Sequence, residues 1–377
     1  MSVTTLPRPA EATAGTAAPE RLCAWAARER RKRAAVLGGL TLLLAALAMI
    51  SVATGAVSVS PAELGAIFLG KLGLTTSVEA SRVQEAVIWS IRLPRVVLGI
   101  LAGATLAIGG AAIQGLFRNP LAEPGLIGTS SGAAMAAVIA IVAVTHLPFT
   151  LPAAAMSWIV SLAAFAGALA ATFLVYRLSL VGGRTMVATM LLTGIAVNAL
   201  AFSVVGLMMF LADDAQLRTI AFWNLGSLTP ANWSSLAVVA PLMVIACVAL
   251  PMMGRAMDAL ALGEAEAHHL GVAVQRVRFL TVLLVALSVG AAVSVTGVIS
   301  FVGLVVPHLL RLAVGPNHRL LLPASALLGA ALLVGADLLA RTIAAPAELP
   351  LGVVTALLGA PYFLWLLIRE RERGTLL

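Results

Sequence analysis

Apolar runs of near-bilayer length recur along almost the whole chain, at about 35–55, 93–117, 130–148, 157–177, 187–212, 236–253, 279–297, 300–314, 321–342 and 350–368. Roughly 20 helical residues cross the hydrocarbon layer. A segment in that layer must satisfy its own backbone hydrogen bonds, so it forms a helix or joins a closed barrel. The runs lack the alternation of barrel strands. Only 11% of the residues are charged, against about 25% in soluble domains, which excludes a soluble enzyme on a single anchor. The expected fold is an all-α polytopic membrane protein, with ten transmembrane helices in residues 35–370. The run at 300–314 is short, and its separation from 279–297 rests on Thr296, Gly297 and Ser300 permitting a tight reversal.

The charges lie between the runs and set the orientation. With both termini inside, inward segments hold 18 of the 24 Lys and Arg, and outward segments hold 6: Lys71, Arg82, Arg92, Arg95, Arg218 and Arg341. Positive charge favours the cytoplasmic side. Residues 1–34, ending in RERRKR, read as a disordered basic cytoplasmic tail, and 371–377 as a short cytoplasmic C-terminal one. The run from Ala34 to Thr54 is too long for a signal-peptide core and no small-residue cleavage site follows it. The net charge of +8 therefore reflects topology and implies no nucleic-acid partner. Spans two to five and seven to ten are two sets offset by five, so corresponding helices run in opposite directions, as in an inverted repeat.

Within the spans, Asp337 is costly in hydrocarbon and a functional candidate for that reason. Arg341, four residues on, faces the same side of the helix and can neutralise it. The bland reading is an ion pair anchoring a helix end; a proton relay lacks a second buried acid. Gly99, Gly103, Ala107 and Gly110 make a strip of small residues suited to close helix packing. Cys23 and Cys247 offer neither a disulfide framework nor metal spacing. His146, His268, His269, His308 and His318 do not converge, so no metal site is expected. The inward stretch 255–278 contains a short polar helix, with Glu264 and Glu266 early and Gly271 as its stop, suited to docking another protein. No GxxxxGK[ST] phosphate loop occurs, nor any nucleophile–base constellation, so enzyme chemistry is not expected on this polypeptide.

The stretches IRLPR (91–95), GAAIQGLFRNPLAEPGLIGTSSGAA (110–134), FWNLGSL (222–228), LALGEAEAHHLGV (260–272), GVISFVGLVVPHLLRLAVGPNHRLLLP (297–323) and AELPLGVVTALLGAPYFLWLL (347–367) resemble the membrane permease of bacterial ABC importers for iron chelates, haem and cobalamin, the type II importers. The resemblance spans about 35–370. It implies an inner-membrane homodimer of ten-helix subunits surrounded by lipid, with two ATPase subunits inside, carrying ATP and Mg, and a periplasmic binding protein outside. The permease itself would bind no cofactor. The loop helix at 260–272, through Leu262, Gly263, Glu264, His269, Leu270 and Gly271, would seat in the ATPase. Arg92, Arg95 and Arg341 would meet acidic residues of the binding protein, Arg341 serving Asp337 as well. Asn119 and Leu121, with Met186 and Val187, would form the cytoplasmic gate. The apolar 186–189 segment departs from the hydroxyl-bearing version of cobalamin permeases, and Gly125 resembles the haem branch. Haem is thus the implied cargo, with a ferric siderophore or cobalamin as alternatives. From other classes come an ion-driven secondary transporter, and a receptor or scaffold.

Overall fold

The computed structural model describes residues 17–372 except 56, 72, 75–79, 145–151 and 346; His146 lies outside the described residues. Fifteen helices follow in order: α1 Ala17–Ala53, α2 Pro61–Lys71, α3 Arg82–Val87, α4 Leu93–Phe117, α5 Thr129–Val144, α6 Ala153–Leu178, α7 Val187–Leu211, α8 Asp214–Leu225, α9 Trp233–Met252, α10 Gly254–Leu262, α11 Glu264–His269, α12 Val274–Thr296, α13 Val302–Val314, α14 His318–Ile343 and α15 Leu351–Glu372. A two-residue hairpin, β1 Leu180–Val181 with β2 Arg184–Thr185, precedes α7. Among the described residues, a helix falls on each of the ten apolar runs; seven helices are long and apolar enough to cross a membrane, and α5, α13 and the apolar part of α15 are shorter.

The chain departs from the sequence expectation at both tails. Residues 17–34, expected as part of a disordered tail, continue α1 without a break. Their Ala, Glu and Arg residues are strong helix formers and extend a helix already nucleated by its apolar half. Arg371 and Glu372, expected in the C-terminal tail, close α15.

α4 is the hub, packed against α14, α12, α13 and α9 and buried over most of its surface. The glycine strip explains how. A Cβ on Gly110 would stand 1.8 Å from the Gly303 carbonyl oxygen of α13, and one on Gly103 would stand 2.3 Å from the Gly329 oxygen of α14. Backbones at such separations exclude any side chain. α4 is entered from α3 through a π turn, Ile88–Arg92. Pro94 has no N–H and its ring crowds the carbonyl four residues earlier; the wider turn lets α3 run into α4 despite it. α12 ends at Thr296 and α13 begins at Val302, so the reversal falls where the sequence placed it. Gly297 carries φ +69, and a Cβ there would stand 2.1 Å from the Trp223 oxygen, so both conformation and contact demand glycine.

Candidate functional site

The polar residues gather at the two ends of the bundle. At one end lie the start of α4, the ends of α1 and α14, α8 and the start of α15. Arg95 is at its centre. Its Nε and Nη2 reach Asp337 Oδ1 at 3.0 and 2.9 Å, and Nη1 and Nη2 donate to Glu348 Oε1 and Oε2 at 2.9 and 3.0 Å. Asp337 Oδ2 also faces Arg341 Nε at 3.2 Å. The remaining donors of Arg341 go to the Ser51 and Thr54 carbonyls at 3.1 Å and to Ser51 Oγ at 2.8 Å. Arg92 donates to the Val52 and Ala53 carbonyls at 2.9 Å and to that of Val57. Two cations thus cap the negative end of the α1 dipole.

The expected Asp337–Arg341 pair is therefore part of a larger network, and the three arginines expected to meet a binding protein all bond within the chain. Arg92 and Arg95 are only 4% and 8% exposed, and all three guanidiniums are engaged within the chain. An uncompensated guanidinium near hydrocarbon is expensive, so carbonyls and carboxylates of the same polypeptide take it. A cleft of about 520 Å³ still borders Arg92, Arg95, Arg341 and Glu348. The sequence reading missed Glu348, the one acid between the ninth and tenth apolar runs. Its bond to Arg95 holds its carboxyl below the ordinary carboxylate range, helped by Thr229, whose hydroxyl donates to Oε2 at 2.8 Å.

At the opposite end, the expected docking segment is two helices rather than one. α10 stops at Gly263, where φ is +138 and a Cβ would stand 2.0 Å from Glu266 Oε2. α11 then runs to His269, and Gly271 at φ +80 turns the chain into α12. Ala267 is buried, while Leu262 and Leu270 are 69% and 64% exposed. Glu264 pairs with Arg278 of α12, a residue the sequence reading passed over. Arg278 is itself buried and donates through Nη1 to the Thr185 carbonyl at 2.7 Å, while Gln275 accepts from the Thr185 N–H at 3.0 Å. Thr185 immediately precedes Met186, the N-cap of α7. The Glu264 helix is thus wired to the expected gate segment through one buried guanidinium. Asp258 of α10 accepts from the His318 backbone N–H and meets its Nδ1, both at 2.8 Å, which ties the same unit to the start of α14.

The other gate segment follows α4. Arg118 ends that helix at φ +49, and Asn119 Oδ1 accepts from the Leu121 N–H at 2.9 Å, closing a tight turn. Leu121 and Met186 are both exposed. Among the described residues no hydrogen bond joins the two gate segments; they share an end of the bundle. Just beyond, Glu123 lines a cavity of about 190 Å³ with Ser130, Asn198 and Phe301, where burial pushes its carboxyl up.

A helical bundle with polar ends and, among the described residues, seven helices long and apolar enough to cross a membrane has the form of a multi-pass membrane protein. The chain belongs to the FecCD transport family, whose profile matches residues 43–369, and it is an ABC importer permease. It is 46% identical over 339 residues to the hemin transport system permease protein HmuU of Yersinia pestis, covering 90% of this chain and 96% of that protein. It is 46% identical over 288 residues to the cobalamin import system permease protein BtuC of Halobacterium salinarum, covering 76% and 74%. A solved structure described as an inward-facing conformation of a metal-chelate type ABC transporter superposes with a TM-score of 0.76 at 32% identity, covering 89% of this chain and 99% of that one.

Proposed function

We propose that this permease carries haem across the bacterial inner membrane by alternating access, as a homodimer of ten-span subunits with both termini in the cytoplasm. A periplasmic binding protein delivers haem at the Asp337 end. Two ATPase subunits grip the Glu264 end and supply the ATP chemistry, the permease itself hydrolysing nothing. The observation that carries the mechanism is the chain of contacts from Glu264 through Arg278 to Thr185. A force applied to α11 reaches the start of α7 through charge-assisted bonds that tolerate little slack, and Met186 and Val187 sit at that start. Alternating access requires such a rigid relay between the energised surface and a gate. The hemin permease relative supports haem as cargo, because over nearly the whole of both chains it is 46% identical, against 37% for a vitamin B12 permease matched over a similar length. Arg92, Arg95 and Arg341 serve here as the frame of the delivery surface, with Glu348 as its accessible edge.

The test is uptake by proteoliposomes containing the permease, its ATPase and its binding protein. Haemin should accumulate only with ATP and all three components. Uptake of cobalamin in its place would overturn the cargo, and haemin uptake by the permease alone under an ion gradient would overturn the coupling to ATP.

A further inference from the structure

The two gate segments share no direct hydrogen bond, yet a single pathway opens only when both withdraw. A connection between them runs through α7. The buried residues of that helix are Met190, Gly194, Ala201 and Val205, a narrow stripe at helical spacing. On the stripe, Gly194 lies against the short 3₁₀ helix Pro124–Ile127; a Cβ there would stand 1.8 Å from the Leu126 carbonyl oxygen. One turn further along, Asn198 donates through Nδ2 to the Gly125 carbonyl at 3.0 Å and accepts through Oδ1 from the Ser131 hydroxyl of α5. Among the described residues it is the one α7 side chain that hydrogen-bonds another element; Ser203 returns to Ala199 of its own helix. An amide in an apolar helix is costly unless it is bonded, and here both of its ends are used.

The 3₁₀ helix is continuous with the first gate segment. The Ala122 N–H donates to the Asn119 carbonyl at 3.1 Å, that of Leu126 to Glu123 at 3.1 Å and that of Gly128 to Gly125 at 3.0 Å. These consecutive turns leave little slack between Leu121 and Gly125. On the other side, Asn198 stands twelve residues from Met186 along α7, about 18 Å of stiff helix. The cavity of about 190 Å³ beside Glu123 also borders Gly125, Ser131 and Asn198. On that flank the bonds adjoin open space, so packing does not replace them.

We propose that Asn198 is a positioning residue that joins the two gates: when the start of α7 moves, Asn198 draws the Asn119–Leu121 turn with it. The proposal rests on the alternating-access reading and adds the link that makes one relay serve both gates. To test it, the complete importer is prepared with Cys23→Ser and Cys247→Ala, and a single cysteine is introduced as Leu121→Cys or Met186→Cys, both positions being exposed. The rate of reaction with a water-soluble maleimide is read without nucleotide and with ATP trapped by vanadate. Without further change, both rates should respond to the nucleotide together. With Asn198→Leu the rate at position 186 should still respond, which shows fold and relay intact, while the response at position 121 falls about tenfold, the scale of one to two lost hydrogen bonds. Ser131→Ala keeps the Gly125 bond and should reduce that response about threefold, which keeps the test open if Asn198→Leu does not fold. An unchanged response at position 121 in both variants overturns the assignment. If position 186 does not respond even with Asn198 in place, the ATP relay fails, and the permease alone in lipid nanodiscs decides on Asn198. There Asn198→Leu should speed modification at position 121 about tenfold and leave position 186 as it was; equal rates at position 121 overturn the link.

Discussion

The two polar ends of the bundle handle charge in opposite ways. At the Asp337 end the ionic network faces inward: Arg95 and Asp337 are nearly inaccessible, and within that network it is Glu348, with its side chain 41% exposed, that reaches the surface. At the Glu264 end one guanidinium, that of Arg278, is buried while its partner's side chain is 51% exposed and Leu262 and Leu270 project outward. The first arrangement holds α1, α4 and α14 together. The second presents a polar and apolar surface on a short, hinged unit and connects it inward. Charge in a membrane protein can serve as a frame or as a handle, and burial decides which.

The comparison is broken most directly at Asp337. Asp337→Asn leaves two buried arginines short of a counter-charge, and losing one partner of a buried pair costs about 3–5 kcal/mol; the thermal unfolding midpoint of the chain in detergent should fall steeply. A midpoint close to the parent's would show that the frame is dispensable. Arg278→Gln removes a buried charged donor, worth about 1.5–3 kcal/mol, and should also separate ATP hydrolysis from uptake in the reconstituted complex. Normal coupling there would sever the proposed relay.

Glu264→Lys leaves the buried Arg278 guanidinium without its counter-charge, which should cost about 1–3 kcal/mol, and it should abolish ATP-driven uptake while hydrolysis continues. If uptake persists, α11 is no handle. Glu348→Gln has the smallest effect and the clearest pH signature. The folded carboxyl titrates below its unfolded value of about 4.3, so its contribution is present above that value and disappears as pH falls through the lower folded value. Acid unfolding profiles of parent and variant should start to approach each other as pH falls below about 4.3 and meet below the lower folded value; profiles that stay parallel through that range would remove Glu348 from the frame.

Much of this was legible in the chain. The apolar runs announced the helices, and the small residues of α4 announced close packing, since a strip of glycines has few other uses in hydrocarbon. Asp337 and Arg341 announced each other because four residues make one helical turn. The segment around Glu264 stood out as polar residues inside an apolar bundle. Arg95, Glu348 and Arg278 did not show their roles, because their partners lie 242, 253 and 93 positions away, and local spacing carries no information across such distances. The arginines of IRLPR look like surface cations in sequence for the same reason.

The amino-acid order by itself thus determined that the chain must live in a membrane, where its apolar helices lie, and which segments are polar enough to leave it. Those properties follow from hydration free energy and backbone bonding, which act along the chain. Only the tertiary structure decided which charges neutralise each other, that Arg92, Arg95 and Arg341 bond within the chain, and that Glu264 is tied to the start of α7. Those outcomes depend on which helices meet, and a buried charge takes its meaning from the groups that replace its water.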